Sequence, residues 1–326
     1  MKHTLHITLI IAAIFFISQV VGLVTVNQYL SVDIIDGKAR VDYPETLLGK
    51  PPEVEEKTFS FIYIMLTILV GTAFIFVLIH FKLGKLWKYW FLFAVVMTLA
   101  ISFGVYINPF IAFVLALILG LIKVFKPNIF VHNFTEVFIY TGITIAILPL
   151  INLFSAFMLL LLISVYDAIA VWKSKHMIKL AEFQTESKVF AGLLIPYKDK
   201  REGEIKVAKV KTAKVAQAKK VANLVPVAKS KDSETKTKIK GKAKNAILGG
   251  GDIAFPLIFS AVVMQHLIEF EGYSKLAALN STFIIAITTT IALAALLFFS
   301  KENRFYPAMP FISAGCILGY VIVLLL

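Results

Sequence analysis

The sequence predicts an all-α polytopic membrane protein with nine transmembrane helices. Of its 326 residues, 59% are hydrophobic and 16% are charged, and the mean hydropathy is +0.83. A soluble domain cannot bury so much apolar surface, whereas a lipid bilayer accommodates it. Nine apolar runs approach the roughly 20 residues that a helix needs to cross the hydrocarbon core. The predicted spans are 5–28, 58–81, 87–107, 109–125, 128–149, 151–172, 246–268, 275–299 and 306–326.

The boundaries between closely spaced helices follow from proline. Asn108-Pro109 and Pro149-Leu150 each predict the end of one helix and the start of the next, because proline cannot continue a helix hydrogen-bonding pattern. The first span is expected to be retained: its apolar run is too long for a signal peptide, and no small-x-small cleavage site follows it.

Positively charged residues predict the orientation. With the N-terminus inside, the cytoplasmic segments carry 28 Lys and Arg residues and the outer segments carry five. Without the long 173–244 segment, which holds 20 of them, the count is still eight against five. The positive-inside rule therefore favours a multi-pass protein of the cell membrane with a cytoplasmic N-terminus and an external C-terminus.

Three regions follow from this layout: a six-helix N-terminal bundle (1–172), a cytoplasmic basic loop (173–245) and a three-helix C-terminal part (246–326). The start of the loop, 173–196, mixes apolar and charged residues at roughly helical spacing, which predicts a helix along the membrane interface. The remainder is rich in Lys, Ala and Val and predicts a flexible tether. Nucleic acid is not an expected partner because almost no aromatic residue accompanies the lysines, whereas anionic lipid is.

Several catalytic classes are excluded by their missing motifs. A single cysteine, Cys316, allows neither an internal disulfide nor a thiolate cluster. No histidine pair has the H-E-x-x-H spacing of a zinc protease, and no serine has the G-x-S-G context of a rhomboid-type nucleophile. No P-loop is present either. We therefore expect neither a metal nor a cofactor.

Ionisable residues inside apolar spans are functional hypotheses by default, and four stand out: Glu136, Asp167, Asp252 and His266. Asp167 precedes Lys173 by six residues, and Asp252 follows Lys244 by eight. At the helical rise per residue, both carboxylates are predicted about 10 Å below the same membrane face. Two antiparallel neighbouring helices would then bring them together.

A facing carboxylate pair supports two different functions. Sharing one proton, the ionised group can take a proton from water while the protonated group donates one to a carbonyl oxygen, which hydrolyses a peptide bond without metal or covalent intermediate. The same pair could instead relay protons or cations in a transporter. The carboxylates alone leave both open.

A glycine triplet directly before Asp252 also has two interpretations. Gly249, Gly250 and Gly251 weaken a helix and expose backbone, to which an extended peptide substrate could add as a strand. Alternatively, they form a small-residue face for helix packing. Pro307 and Pro310, at the start of the last span, are predicted at the same depth.

Three motifs, in order, resemble those of the presenilin and signal-peptide-peptidase family of intramembrane aspartyl proteases. "VYDAIAVW", "LGGGDIAFP" and "YPAMPF" are similar to its Y-D, G-x-G-D and P-A-L motifs, and "HMIKLAEFQ" resembles prokaryotic presenilin homologues. The nine-span layout and the long loop after span six also match. Signal-peptide peptidases have the inverse topology, so the charge count favours the presenilin side.

The resemblance implies a presenilin-like fold and roles for particular residues. Asp167 and Asp252 would be the catalytic pair. In the family pattern Gly250 occupies a variable position, often leucine, and Met309 replaces the leucine of P-A-L, a volume-conserving change. The implied substrate-binding residues are Tyr166, Leu248, Gly249, Gly250, Gly251, Pro307, Ala308, Met309 and Pro310.

The implied function is an intramembrane aspartyl endopeptidase whose substrates are single-pass transmembrane proteins or peptides. The alternative is a proton-coupled transporter or cation leak that uses the same aspartates, and a third is a catalytically silent scaffold. Accessory subunits and oligomeric state stay open. Outside the motifs, His132 and Glu136 are expected to form a hydrogen-bonded pair facing the bundle interior, and His266 to be a buried or interfacial hydrogen-bonding residue.

Overall fold

A computed structural model describes residues 5–35, 38–52, 54, 56–174, 190–198, 243–300 and 306–326. This part of the chain contains nine α-helices, seven of them long and apolar enough to span a membrane, while the fourth and the ninth are apolar helices of 17 residues. They are α1 (Leu5–Tyr29), α2 (Ser60–His80), α3 (Gly84–Gly104), α4 (Pro109–Phe125), α5 (Ile129–Ile147), α6 (Leu153–Ile169), α7 (Gly250–Glu269), α8 (Lys275–Phe299) and α9 (Met309–Leu325).

Polar side chains define where several helices begin. Asn108, Asn128 and Asn152 each accept a backbone N–H from the first turn of α4, α5 and α6, at 2.9–3.0 Å, and Ser274 does the same for α8. These N-caps satisfy donors that the helix itself leaves unpaired. A short 3₁₀ turn, Leu148–Leu150, separates α5 from α6 at the predicted proline.

The nine helices belong to one compact unit, residues 1–194 and 247–326. Within it, α7 contacts α1, α5, α6, α8 and α9 and is the most buried of the seven long helices. Glycines permit two of the closest helix contacts: a Cβ at Gly315 of α9 would lie 2.9 Å from the Cα of Thr289 in α8, and one at Gly319 would lie 2.7 Å from that of Ile285. Small residues at such positions let membrane helices approach closely.

Two strand pairs accompany the helices. β1 (Ser31–Ile35) and β2 (Lys38–Asp42) are antiparallel, with Ser31 opposite Asp42. β3 (Gly192–Lys198) pairs with β4 (Ala243–Gly249), which runs directly into α7. A second unit, residues 195–246, includes 195–198 of β3 and 243–246 of β4.

β3 and β4 correct two predictions. From Gly192 the predicted interfacial helix over 173–196 is replaced by a strand, because this segment pairs with β4; residues 175–189 and 199–242, which include most of the predicted tether, lie outside the described residues. The predicted span 246–268 begins as strand, so its helix starts only at Gly250. Likewise, the last helix begins at Met309 rather than at residue 306.

Candidate active site

Asp252 is held by the way α7 begins. Gly249 is the N-cap, with extended backbone (φ −62°, ψ 145°), and Asp252 is the third helical residue. Its carboxyl group accepts a hydrogen bond from the Gly249 N–H, as in a capping box. A Cβ at residue 249 would lie 3.2 Å from Oδ2 of Asp252. Glycine therefore leaves room for the carboxyl group to fold back onto its own helix N-terminus.

Asp167 lies in the last turn of α6 and faces the start of α9. The Met309 N–H donates to its Oδ2 at 3.0 Å, and the backbone of Ala308 also hydrogen-bonds to it. One turn earlier, the hydroxyls of Ser164 and Ser313 join the same two helices at 2.8 Å. The N-terminus of α9, with its partial positive charge, thus orients this carboxyl group.

The two aspartates lie close enough for their charges to interact. Both are half-buried, and the helices that carry them, α6 and α7, contact each other and α9. The spacing argument that predicted this proximity was wrong in one respect. Residues 243–249 are extended and not helical, so helical rise does not measure the depth of Asp252.

The other predicted site residues divide into two sets. Near Asp252, Leu248 is buried at the end of β4, and Gly251 is exposed in the first turn of α7. Near Asp167, Pro307 and Met309 are buried, and Ala308 and Pro310 are half-buried. Tyr166 reaches in another direction, with its hydroxyl 3.5 Å from that of Thr72 in α2.

The glycine triplet proves to be heterogeneous. Gly249 is extended, whereas Gly250 and Gly251 are helical, so the predicted weakening of the helix is limited to its start at Gly249. A Cβ at Gly250 would lie 2.7 Å from the Tyr140 hydroxyl oxygen, which makes this position a close helix contact with α5. At Gly251 a Cβ would meet only the Phe255 ring, at 3.4 Å.

A buried polar cluster beside the glycines includes residues that sequence reasoning missed. His132 and Glu136 face the interior as expected, but they do not form the expected hydrogen bond with each other, since Nε2 of His132 lies 3.8 Å from Oε1 of Glu136. Their main partner is Lys123 of α4, whose Nζ lies 2.6 Å from the same oxygen. Lys123 is one of the 28 basic residues that the orientation count assigned to cytoplasmic segments, yet it is 3% exposed. A lysine two residues before the end of an apolar helix looks like a flanking charge unless its carboxylate partner is known.

His266, near the other end of α7, is half-buried and stacks on Phe270, with ring centroids 4.9 Å apart. In the described part of the chain, no group of three or more His, Cys, Asp or Glu side chains could hold a metal ion.

Residues 12–326 match the family described as signal-peptide peptidase, presenilin aspartyl protease. The chain belongs to this family. No protein with a curated description matches it significantly. Two solved structures are similar to it, both of a presenilin family intramembrane aspartate protease. The form in space group C222 is 15% identical in sequence, and the match covers 95% of this chain and 94% of the chain in that structure, with a TM-score of 0.53. The form in space group P2 is also 15% identical, and the match covers 96% of each chain with a TM-score of 0.54.

Membership in the presenilin and signal-peptide-peptidase family confirms three predictions. The fold is the presenilin-like, all-α polytopic fold, since both solved structures match over nearly the whole chain. The protein is a multi-pass membrane protein and an intramembrane aspartyl protease, an enzyme that acts on transmembrane substrates within the membrane. Nothing in these comparisons supports the transporter alternative.

Proposed function

We propose that Asp167 and Asp252 are the catalytic pair of this protease. The observation that carries the proposal is the meeting of three separate chain segments. The backbone N–H of Met309 binds the Asp167 carboxyl group, which interacts electrostatically with Asp252 at the start of α7. Each carboxyl group is therefore held at a helix N-terminus, Asp252 at that of α7 and Asp167 at that of α9.

The reaction follows from one shared proton. The ionised aspartate takes a proton from a water molecule, whose oxygen attacks the peptide carbonyl carbon, while the protonated aspartate donates to the carbonyl oxygen. A gem-diol results. When it collapses, the C–N bond breaks, the nitrogen receives a proton from the dyad, and one hydroxyl returns its proton to the carboxyl pair. The pair is thereby restored without metal or covalent intermediate.

A single-pass transmembrane segment is the proposed substrate, and β4 is the proposed docking strand. One edge of β3 is already occupied, because the side-chain amide of Asn133 bonds both the N–H and the C=O of Leu194. In the described two-stranded sheet, β4 is the other outer strand. An unwound substrate that adds to β4 would extend past Gly249 and Gly251 toward Asp252.

Substitution of the aspartates tests the pair. Asp167→Asn and Asp252→Asn should each abolish cleavage of a transmembrane peptide by detergent-purified protein, and the double variant should be scarcely worse, because residues that act as a unit are not additive. The wild-type rate should follow a bell-shaped pH profile, since one carboxyl group must be ionised and the other protonated. Near-normal proteolysis by Asp167→Asn would remove the assignment.

We also propose that the N-terminus and the 173–245 loop are cytoplasmic and that the C-terminus is external, in the cell membrane. Removing buried Lys123 from the count leaves seven basic residues against five outside the long loop, and the loop adds 20 to the inner side. Single cysteines at Ser230 and Ser274 in a Cys316→Ser background should react with an impermeant reagent from opposite sides. Labelling of Ser230→Cys from outside intact cells would reverse the orientation.

A further inference from the structure

A buried ion pair joins α4 and α5 inside the protein. Nζ of Lys123 lies 2.6 Å from Oε1 of Glu136, and each side chain is 1% exposed. The same ammonium lies 3.1 Å from the Thr135 hydroxyl and 3.2 Å from Nδ1 of His132. Removing two charges from water costs free energy. Well-packed apolar residues of similar volume often stabilise a protein at least as much as a buried ion pair does. An ion pair that is this deeply buried is therefore expected to serve function.

The second oxygen of Glu136 points toward the candidate active site. Oε2 accepts hydrogen bonds from the Tyr140 hydroxyl and from the backbone N–H of Gly192, the latter at 3.1 Å. One oxygen atom thus receives two donors while the other receives Lys123. A carboxylate can satisfy all three donors, whereas an amide has only one oxygen to offer.

The neighbours of Glu136 on α5 extend this contact along β3. Nε2 of His132 lies 2.8 Å from the Gly192 carbonyl oxygen, and since that oxygen can only accept, the ring nitrogen donates. Asn133 bonds the N–H and the C=O of Leu194, at 3.0 and 2.8 Å. Backbone groups of alternate strand residues point to the same edge. Three side chains of α5 therefore hold one edge of β3.

Two short routes lead from this cluster to Asp252. Through side chains, the Tyr140 hydroxyl that binds Glu136 packs against Gly250, two residues before Asp252. Through backbone, Gly192 approaches the Leu248 carbonyl so closely that a Cβ would collide with it. Gly192 also has a φ of 145°, which side-chain-bearing residues rarely adopt. Leu248 is followed directly by the N-cap of α7.

We propose that Glu136, with Lys123 as its counter-ion, is a positioning residue for catalysis: it holds Tyr140 and the edge of β3 so that β4 and the first turn of α7 present Asp252 to Asp167. This inference rests on the proposed function of the two aspartates. Glu136 does not touch the reacting atoms. Its loss should change the geometry of the pair rather than the affinity for substrate in the ground state.

The test compares three single variants of the full-length protein in detergent. Glu136→Gln should lower kcat at least tenfold per folded molecule, with KM within threefold of wild type. Affinity for a hydroxyl-containing transition-state mimic should fall in proportion to kcat, because such a ligand reports the geometry of the pair. Tyr140→Phe keeps the ring against Gly250 but removes the hydroxyl, and should lower kcat several-fold in the same way.

Glu269→Gln is the matched control. This carboxylate, at the opposite end of α7, also accepts a backbone N–H, from Val41 at 3.3 Å, and a side-chain donor, from Gln265 at 3.1 Å. It should keep wild-type kcat per folded molecule even where thermal stability falls.

A double variant separates positioning from folding. If Glu136→Gln leaves Lys123 unpaired and the protein unfolds, Lys123→Met with Glu136→Gln removes both charges and should restore folding while kcat stays low. Wild-type kcat in that folded double variant would overturn the proposal. So would wild-type kcat in both folded single variants, Tyr140→Phe and Glu136→Gln, or an effect of Glu136→Gln on KM alone. Cleavage that survives Asp252→Asn would instead remove the proposed catalytic pair, so the two failures are distinguishable.

Discussion

Helices α2 and α7 show opposite relations between hydropathy and burial. α2 has the highest mean hydropathy of the seven long helices, yet only 6% of its most apolar 18-residue stretch is buried in the protein. α7 has a much lower mean hydropathy, and 78% of the corresponding stretch is buried. Within the described chain, α7 also carries Asp252 and a proline, whereas α2 has no acidic residue in its first turn.

The difference follows from what each helix contacts. A helix surrounded by lipid gains nothing from polar or small groups, so its exposed positions are filled with large apolar side chains. A helix surrounded by other helices gains stability from close packing and can satisfy polar groups on its neighbours. In the described part of this protease, hydropathy therefore identifies the spans but is a poor guide to which span is central.

The largest difference in stability should appear when one leucine is truncated in each helix. Leu257 of α7 is fully buried and lies against Gly22 of α1, whereas Leu66 of α2 is 57% exposed. Leu257→Ala should lower the free energy of unfolding by about 2–5 kcal/mol, because the cavity is not refilled. Leu66→Ala should change it by less than about 0.5 kcal/mol. Unfolding in detergent measures both, and equal losses would mean that α2 is packed after all.

A smaller difference is expected when a side chain is added to a glycine. A Cβ at Gly250 would lie 2.7 Å from the Tyr140 hydroxyl oxygen. A Cβ at Gly71 in α2 would have no described atom within 4 Å apart from its chain neighbours and the nearby backbone of its own helix. Gly250→Leu should destabilise by about 1–3 kcal/mol through overpacking. It should also reduce cleavage, because it displaces Tyr140. Gly71→Leu should match wild type in thermal unfolding and in cleavage of a transmembrane peptide; a loss there would indicate an unrecognised contact of α2.

The smallest effect on stability is expected next to Asp252. Gly251 is exposed, and a Cβ there meets only the Phe255 ring at an ordinary contact distance. Gly251→Leu should therefore keep the unfolding free energy within about 0.5 kcal/mol of wild type. If substrate passes this position, kcat/KM should nevertheless fall at least tenfold. Unchanged cleavage per folded molecule would show that the substrate approaches Asp252 from another side.

Much of the architecture was predictable because a bilayer imposes its thickness on the sequence. The predicted spans 109–125 and 275–299 coincide with α4 and α8, and most other helix ends agree within three residues. Capping asparagines and prolines at these ends act through neighbouring residues and can be recognised locally. The proximity of Asp167 and Asp252 was also anticipated, although the helical spacing used to infer it does not hold for β4.

What the sequence could not determine are the contacts between residues distant in the chain. Whether 243–249 forms a strand depends on β3, which lies about fifty residues earlier. Whether Lys123 is a flanking charge or a buried one depends on Glu136 in the next helix, since only a partner makes burial of an ammonium group tolerable. The Met309 N–H likewise meets Asp167 across 142 positions of sequence. Local patterns determined by themselves where this protein crosses the membrane, and only tertiary packing decided which of its polar groups face one another, because a hydrogen bond or ion pair requires both partners in place.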